Sequence, residues 1–232
     1  MIIYPAIDIL GGKAVRLYKG DYDNVTVYGT PLEAANKWLS SGSDFLHLVD
    51  LNGARGDVDN REKIAEIRSA SDCFIQIGGG IRNLEQARKY LDLGVNQVII
   101  GTAAVTDQVF LEELVKKYPD QVTVGVDARN GKVSIGGWLS DTELNADDFI
   151  KKLEEIGVKR VVYTDISKDG TLTGPNFSMY ESVLASVDIE IIASGGISCL
   201  DDLKRLKKIG LDGVIVGKAL YENKFTLEEA LC

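Results

Sequence analysis

Eight short apolar runs alternate with amphipathic segments along the chain, the second half restarts the pattern of the first, and glycine-rich turns close the runs at matching places. Together these observations predict an α/β fold, a (β/α)8 TIM barrel built from two duplicated half-barrels. It is read as one domain over 1–232, with halves of approximately 1–118 and 119–232 and no Pro- or Ser-rich linker between them.

The strand candidates are Ile2–Ile9, Phe45–Val49, Cys73–Ile77, Gln97–Ile100, Val122–Val126, Arg160–Tyr163, Ile189–Ala193 and Gly213–Val216. Near-continuous apolar character suits parallel strands covered on both faces. The helical candidates Leu32–Ser41, Glu62–Ser69, Phe110–Tyr118, Ala146–Ile156 and Leu200–Ile209 lie between them. Thr30-Pro31-Leu32-Glu33 opens the first as an N-cap, a proline at N1 and an acid at N3. Asn83 is the expected N-cap of a helix carrying Leu84, Ala87 and Leu91, with Gln86 three residues on, and Ser198 is its expected counterpart. Arg129-Asn130-Gly131-Lys132 reads as a hairpin turn after the fifth strand. A doubly wound open sheet accommodates the alternation but leaves the restart unexplained.

The repeat is specific. Segments 75–105 and 191–220 align without a gap, carrying Ile81 onto Ile197 and Gly101 onto Gly217 at a shift of 116. Asp8 maps onto Asp127 and Asp50 onto Asp165 at nearly the same shift. A strand that ends in glycines and feeds a helix exposes backbone N–H groups to an anion, usually a phosphate. The bland alternative, that such glycines only permit positive φ, loses force when two loops at corresponding places are each followed by a second glycine turn. Two cradles are expected, one over Gly79, Gly80, Gly101 and Thr102, the other over Gly195, Gly196, Gly217 and Lys218.

In such a barrel the C-terminal strand ends face the site, which selects Asp8, Asp50, Asp127, Thr164 and Asp165 among the polar residues. Asp8 and Asp127 fall on the first and fifth strands, opposite one another across the mouth. One carboxylate can then take a proton while the other gives one, provided their environments separate their protonation states. The competing reading is that strand-end aspartates cap the following turn, an option left more open for Asp50 and Asp165 than for Asp8 and Asp127. His47 is either a satisfied interior histidine or a ligand contact. Arg16 and Lys19 follow the first strand in a polar stretch long enough for a mobile flap, and Arg16 suits phosphate recognition. Trp138 either stacks on a heterocycle or plugs the barrel top.

Composition narrows the partners. A net charge of −9 lacks the basic footprint that nucleic acid or an anionic membrane requires. Three cysteines without CxxC spacing and one histidine predict free thiols and no metal. Neither a signal segment nor an apolar stretch of spanning length is read, so a cytoplasmic protein is expected. The partner is a small bis-phosphorylated molecule, and a monomer is expected without being established.

The segments PAIDILGGKAVRLYKG, HLVDLNGA, IQIGGGIR, GTAAV, VDARNGKV with its following GW, TDISKDGTLTGPN, ASGGIS and GVIVGKAL agree in order, spacing and type with one family. Over essentially its whole length the chain resembles the ProFAR isomerases, the phosphoribosylformimino-AICAR-phosphate isomerases of histidine biosynthesis. The resemblance implies an Amadori rearrangement of an aminoaldose to an aminoketose without cofactor, with Asp8 as base, Asp127 as acid and Thr164 assisting. It adds Asp169 and Gly170 to the second cradle. The cyclase subunit of imidazole glycerol phosphate synthase is a relative whose opening segment reads differently. A bifunctional variant acting also on phosphoribosylanthranilate would keep the same aspartates and Arg16.

Overall fold

The computed structural model describes residues 1–18 and 20–232. Its strands are β1 (Ile2–Leu10), β2 (Lys13–Tyr18), β3 (Asp21–Gly29), β4 (Phe45–Asp50), β5 (Phe74–Gly78), β6 (Gln97–Ile100), β7 (Val122–Arg129), β8 (Lys132–Ile135), β9 (Ser140–Asn145), β10 (Arg160–Asp165), β11 (Glu190–Ser194) and β12 (Gly213–Val216). Its helices are α1 (Pro31–Ser40), α2 (Leu51–Arg55), α3 (Arg61–Ala70), α4 (Leu84–Leu91), α5 (Thr102–Thr106), α6 (Gln108–Lys117), α7 (Ala146–Ile156), α8 (Phe177–Leu184), α9 (Leu200–Lys208), α10 (Lys218–Tyr221) and α11 (Leu227–Leu231). Going round, β1, β4, β5, β6, β7, β10, β11 and β12 pair in parallel, and the β12–β1 ladder closes the ring. The predicted (β/α)8 barrel is therefore the observed fold.

Burial explains why these strands read as continuous apolar runs. On the outer face each strand sinks a fully buried aliphatic residue against the helices: Ile7, Leu46, Ile75, Val98, Val124, Val161, Ile191 and Val214. Truncating Leu46 or Ile75 to alanine costs about 2–5 kcal/mol. On the inner face Tyr4, Ala6, Ile99, Val162, Ile192 and Ile215, with Phe45 and Phe74, fill the barrel. This plug stops short of the C-terminal strand ends, where a cavity of about 400 Å³ opens.

Local signals carried most element starts. Thr30 caps α1 in a capping box with Glu33, behind Pro31. Asn83 caps α4 by accepting from the Gln86 amide at 2.9 Å. The second counterpart differs from expectation. Cys199, not Ser198, occupies the N-cap of α9, and the Asp202 carboxylate accepts from the amides of both residues.

The stretch after β1, expected as a mobile flap, is an antiparallel ribbon, β2 on β1 and β3 on β2. Lys19 lies outside the described residues. The ribbon repeats after β7, where β8 pairs with β7 and β9 with β8. Both begin with a two-residue turn, Gly11-Gly12 in one and Asn130-Gly131 in the other, with positive φ at all four residues. That is the type I′ geometry whose twist matches antiparallel strands.

Candidate active site

The eight strand ends build a cavity lined by Asp8, Asp127, Thr164, Arg16 and the residues of both predicted cradles, but not by the strand-end candidates Asp50 and Asp165. Ring order puts β7 four strands from β1, so Asp8 and Asp127 face each other across the mouth. Turns after β5 and β6 face those after β11 and β12 in the same way, so the axis joining the cradles crosses the axis joining the carboxylates.

The glycine pairs are dictated by packing as much as by φ. A Cβ on Gly79 would lie 2.2 Å from the Asp50 carbonyl oxygen, and one on Gly80 would lie 1.9 Å from that of Gly53. In the second half a Cβ on Gly195 would lie 2.8 Å from the Asp165 carbonyl oxygen and one on Gly196 2.6 Å from that of Gly174, less tight but still too close for a side chain. All four residues have positive φ. Each pair thus lets one barrel loop press its backbone on the next, leaving that backbone bare toward the cavity. Gly101 and Gly217 sit immediately before the short helices α5 and α10, the arrangement by which barrels of this kind hold phosphate groups. Thr102 accepts from the Gly136 amide at 2.9 Å, tying the first cradle to the β8–β9 ribbon. Lys218 donates to the Gly170 carbonyl at 2.9 Å and pairs with Glu222 at 3.6 Å.

The two carboxylates have different partners. Asp8 pairs with Arg16 at 3.0 Å, and both side chains are nearly buried, 14% and 12% exposed. Burial raises the Asp8 pKa, the Arg16 guanidinium opposes that, and the charge of Asp169 adds to it. Asp127 is also raised by burial. It accepts hydrogen bonds from the Trp138 indole and the Thr164 hydroxyl, which pull the other way, while Asp169 again pushes it up. The rise is therefore opposed by a full cation at Asp8 and only by neutral donors at Asp127.

Arg16 is not a solvated surface charge: it is nearly buried and is carried by β2 of the ribbon. It projects from β2 over Gly217, where a Cβ would meet its guanidinium at 2.3 Å, so the absent side chain makes room for it. Tyr28, Tyr221 and Asp169 surround it electrostatically. Asp169, predicted in the second cradle, has its own amide donating to the Asp165 and Ile166 carbonyls. Its buried carboxyl, raised by burial and lowered by Arg16 and Lys218, has no donor for an anion when ionised.

Other expectations divide. Asp50 is fully buried outside the cavity and accepts from the Gly53 and Asn60 amides, the Asn60 side chain and the Tyr90 hydroxyl. Asp165 likewise accepts from Ser167 and Asn176. Both serve turn architecture, as the capping alternative held. Trp138 covers the mouth at positive φ, its ring filling the space beside Gly20. Arg82 was missed. It lines the cavity and donates to the carbonyls of Gly53, Ala54 and Gly80, and its place directly after the Gly78–Ile81 turn was the available signal.

A closed parallel barrel with one cavity at its C-terminal end, two opposed glycine cradles and two opposed carboxylates defines the class, a (β/α)8 barrel enzyme. The chain belongs to the histidine biosynthesis protein family, whose pattern matches residues 2–226. It is 51% identical over 229 residues to a protein of Alkaliphilus metalliredigens, covering 98% of this chain and 97% of that one. It is 51% identical over 233 residues to one of Lactococcus lactis subsp. lactis, covering 99% and 98%. A protein of Oceanobacillus iheyensis is 47% identical over 233 residues, covering 100% and 97%. Each relative is named 1-(5-phosphoribosyl)-5-((5-phosphoribosylamino)methylideneamino) imidazole-4-carboxamide isomerase. Among the described residues no helix is long and apolar enough to cross a membrane.

Proposed function

We propose that this chain is itself a ProFAR isomerase, converting the phosphoribosyl-formimino substrate into its phosphoribulosyl form. The crossing of the two axes carries the reading: a substrate with a phosphate at each end, spanning the cradles, lays its reacting sugar between Asp8 and Asp127. Ring opening needs a proton delivered to the ribose ring oxygen, and the rearrangement then needs the C2 proton removed from the resulting Schiff base. Asp8, whose anionic form the Arg16 guanidinium favours, is the base. Asp127, raised by burial and without a cationic partner among the causes of its shift, is the acid, and Thr164 orients it.

One phosphate is held over Gly79, Gly80, Gly101 and Thr102, the other over Gly170, Gly195, Gly196, Gly217 and Lys218 with Arg16 alongside. Asp169 serves this cradle by holding Arg16 rather than by touching the anion. The domain reading goes with it, as halves 1–118 and 119–232 supply one carboxylate and one cradle each. All these groups come from one chain, which supports a self-sufficient monomer, and the reaction belongs to the cytoplasm.

The test incubates purified protein with ProFAR and follows the ultraviolet change of the aminoimidazole chromophore. Turnover is expected, and none would overturn the reading. Phosphoribosylanthranilate in the same assay measures whether the site also accepts a smaller, singly phosphorylated substrate. Crystals soaked in phosphate should show two anions, one per cradle, and a single occupied cradle would overturn the two-ended binding mode.

A further inference from the structure

His47 is the only histidine of the chain. On β4 it stands level with Ala6 of β1 and Gln76 of β5, two residues before the level of Asp8. Strand alternation therefore points it into the barrel one layer beneath Asp8, where it lines the cavity while 8% exposed. The small side chain of Ala6 leaves it room.

Its Nδ1 lies 3.0 Å from the Gln76 amide nitrogen. That nitrogen can only donate, so Nδ1 accepts and the proton of the neutral ring sits on Nε2. Gln76 is fully buried, and its Oε1 has no hydrogen-bond partner among the described residues. The ring stays neutral because burial and then the Arg16 charge push its pKa down to about 3. The charged groups facing this level are Arg16 from β2 and Asp8 from β1, already paired with each other. A neutral donor suits this place. An imidazolium here would compete with Arg16 for Asp8 and weaken it as a base, whereas an N–H dipole can hold a hydroxyl without doing so.

We propose that His47 contacts the reacting sugar, its Nε2–H donating to a ribose hydroxyl of the bound phosphosugar, with Gln76 as the positioning residue that fixes this tautomer. The identity of the sugar rests on the isomerase reading. The contact does not, because any phosphorylated pentose spanning this floor meets the same donor.

A lone histidine gives a single imidazole spin system in nitrogen-15 spectra. The expected spectrum has a protonated Nε2 and a bare Nδ1, constant from about pH 5.5 to 8.5. Ribose 5-phosphate should displace the Nε2 and Hε1 signals, while inorganic phosphate at equal concentration, confined to the rim cradles, should not. Gln76→Met should mix the tautomers, and His47→Leu should lower kcat/KM for ProFAR by roughly 5- to 10-fold, the worth of about one hydrogen bond. A proton on Nδ1, a titration midpoint inside that pH range, or signals unmoved by ribose 5-phosphate would overturn the proposal. These readings come from wild-type protein, so they stand whether or not the variants fold. Inactivity of wild type on ProFAR would remove the isomerase reading and leave the spectra to decide the contact.

Discussion

The two half-barrels repeat one backbone plan and hold their carboxylates by different means. In the first, the Gly11-Gly12 turn is pinned from outside: the Gly11 amide donates to Asn52 at 2.7 Å and the Gly12 amide to Asn60 at 3.0 Å. In the second, the matching residues look inward. Ser167 donates to Asp165, and Asn176 spends its oxygen on capping α8 through the Met179 amide. A polar cleft bordered by Asn130, Gly131, Ser167 and Asn176 lies where the first half has its docked turn. The second ribbon is secured instead from within the cavity, by Trp138 on Asp127 and by the Gly136 amide on Thr102. The two aspartates occupy matching positions in the halves, yet one is half of an ion pair and the other an acceptor of neutral hydrogen bonds. Under the proposed function, that asymmetry separates base from acid.

The largest expected effect comes from removing either end of the asymmetric pair. Asp8→Asn and Asp127→Asn should each lower kcat on ProFAR by about 10²-fold or more with KM little changed, measured at saturating substrate. Comparable turnover by either variant would break the division of roles.

Arg16→Ala should lower kcat/KM by about 10- to 100-fold, since it strips the cation from a nearly buried carboxylate and a donor from the second cradle. The sign of its pH effect follows from the ion pair. Without the guanidinium the Asp8 pKa rises further, the ionised base is lost at higher pH, and the acid limb of the kcat/KM profile moves up. An unmoved acid limb would detach Arg16 from the base.

Trp138→Phe sharpens the contrast from the other side, with an expected loss of about 10-fold. The indole donor lowers the Asp127 pKa, so its removal raises it. A general acid works while protonated, so the alkaline limb should move up in pH and the acid limb should stay. Movement of the acid limb in this variant would reverse the assignment.

The smallest effect separates the two turn anchors. Asn60→Ala loses bonds to Gly12, Asp50 and Ile9, whereas Asn176→Ala loses one to Asp165 and a helix cap. Urea unfolding should show the first costing about 2–3 kcal/mol and the second about 1–2 kcal/mol. Equal losses would mean that docking the first ribbon adds nothing.

Much of this molecule was legible in one dimension because its signals are local or periodic. Unbroken apolar strands, capping boxes at Thr30, the Asn130-Gly131 turn and a gap-free repeat each depend only on neighbours in sequence. With the rule that strand C-termini face the site, they sufficed to bring Asp8, Asp127, Thr164 and both glycine cradles to one cavity. What tertiary structure alone decided is pairing across long separations. The ribbon pairing of β2 and β3 was not legible because polar residues of β3 hide its alternation, and that pairing is what seats Arg16 on Asp8. Asp50 and Asp165 looked like site residues because a strand-end aspartate reads alike whether it faces the mouth or the turn behind it. The contact that His47 makes with Gln76 joins residues on neighbouring strands and 29 residues apart. Such contacts are set by barrel closure and by which face a side chain occupies, and sequence spacing carries no measure of either.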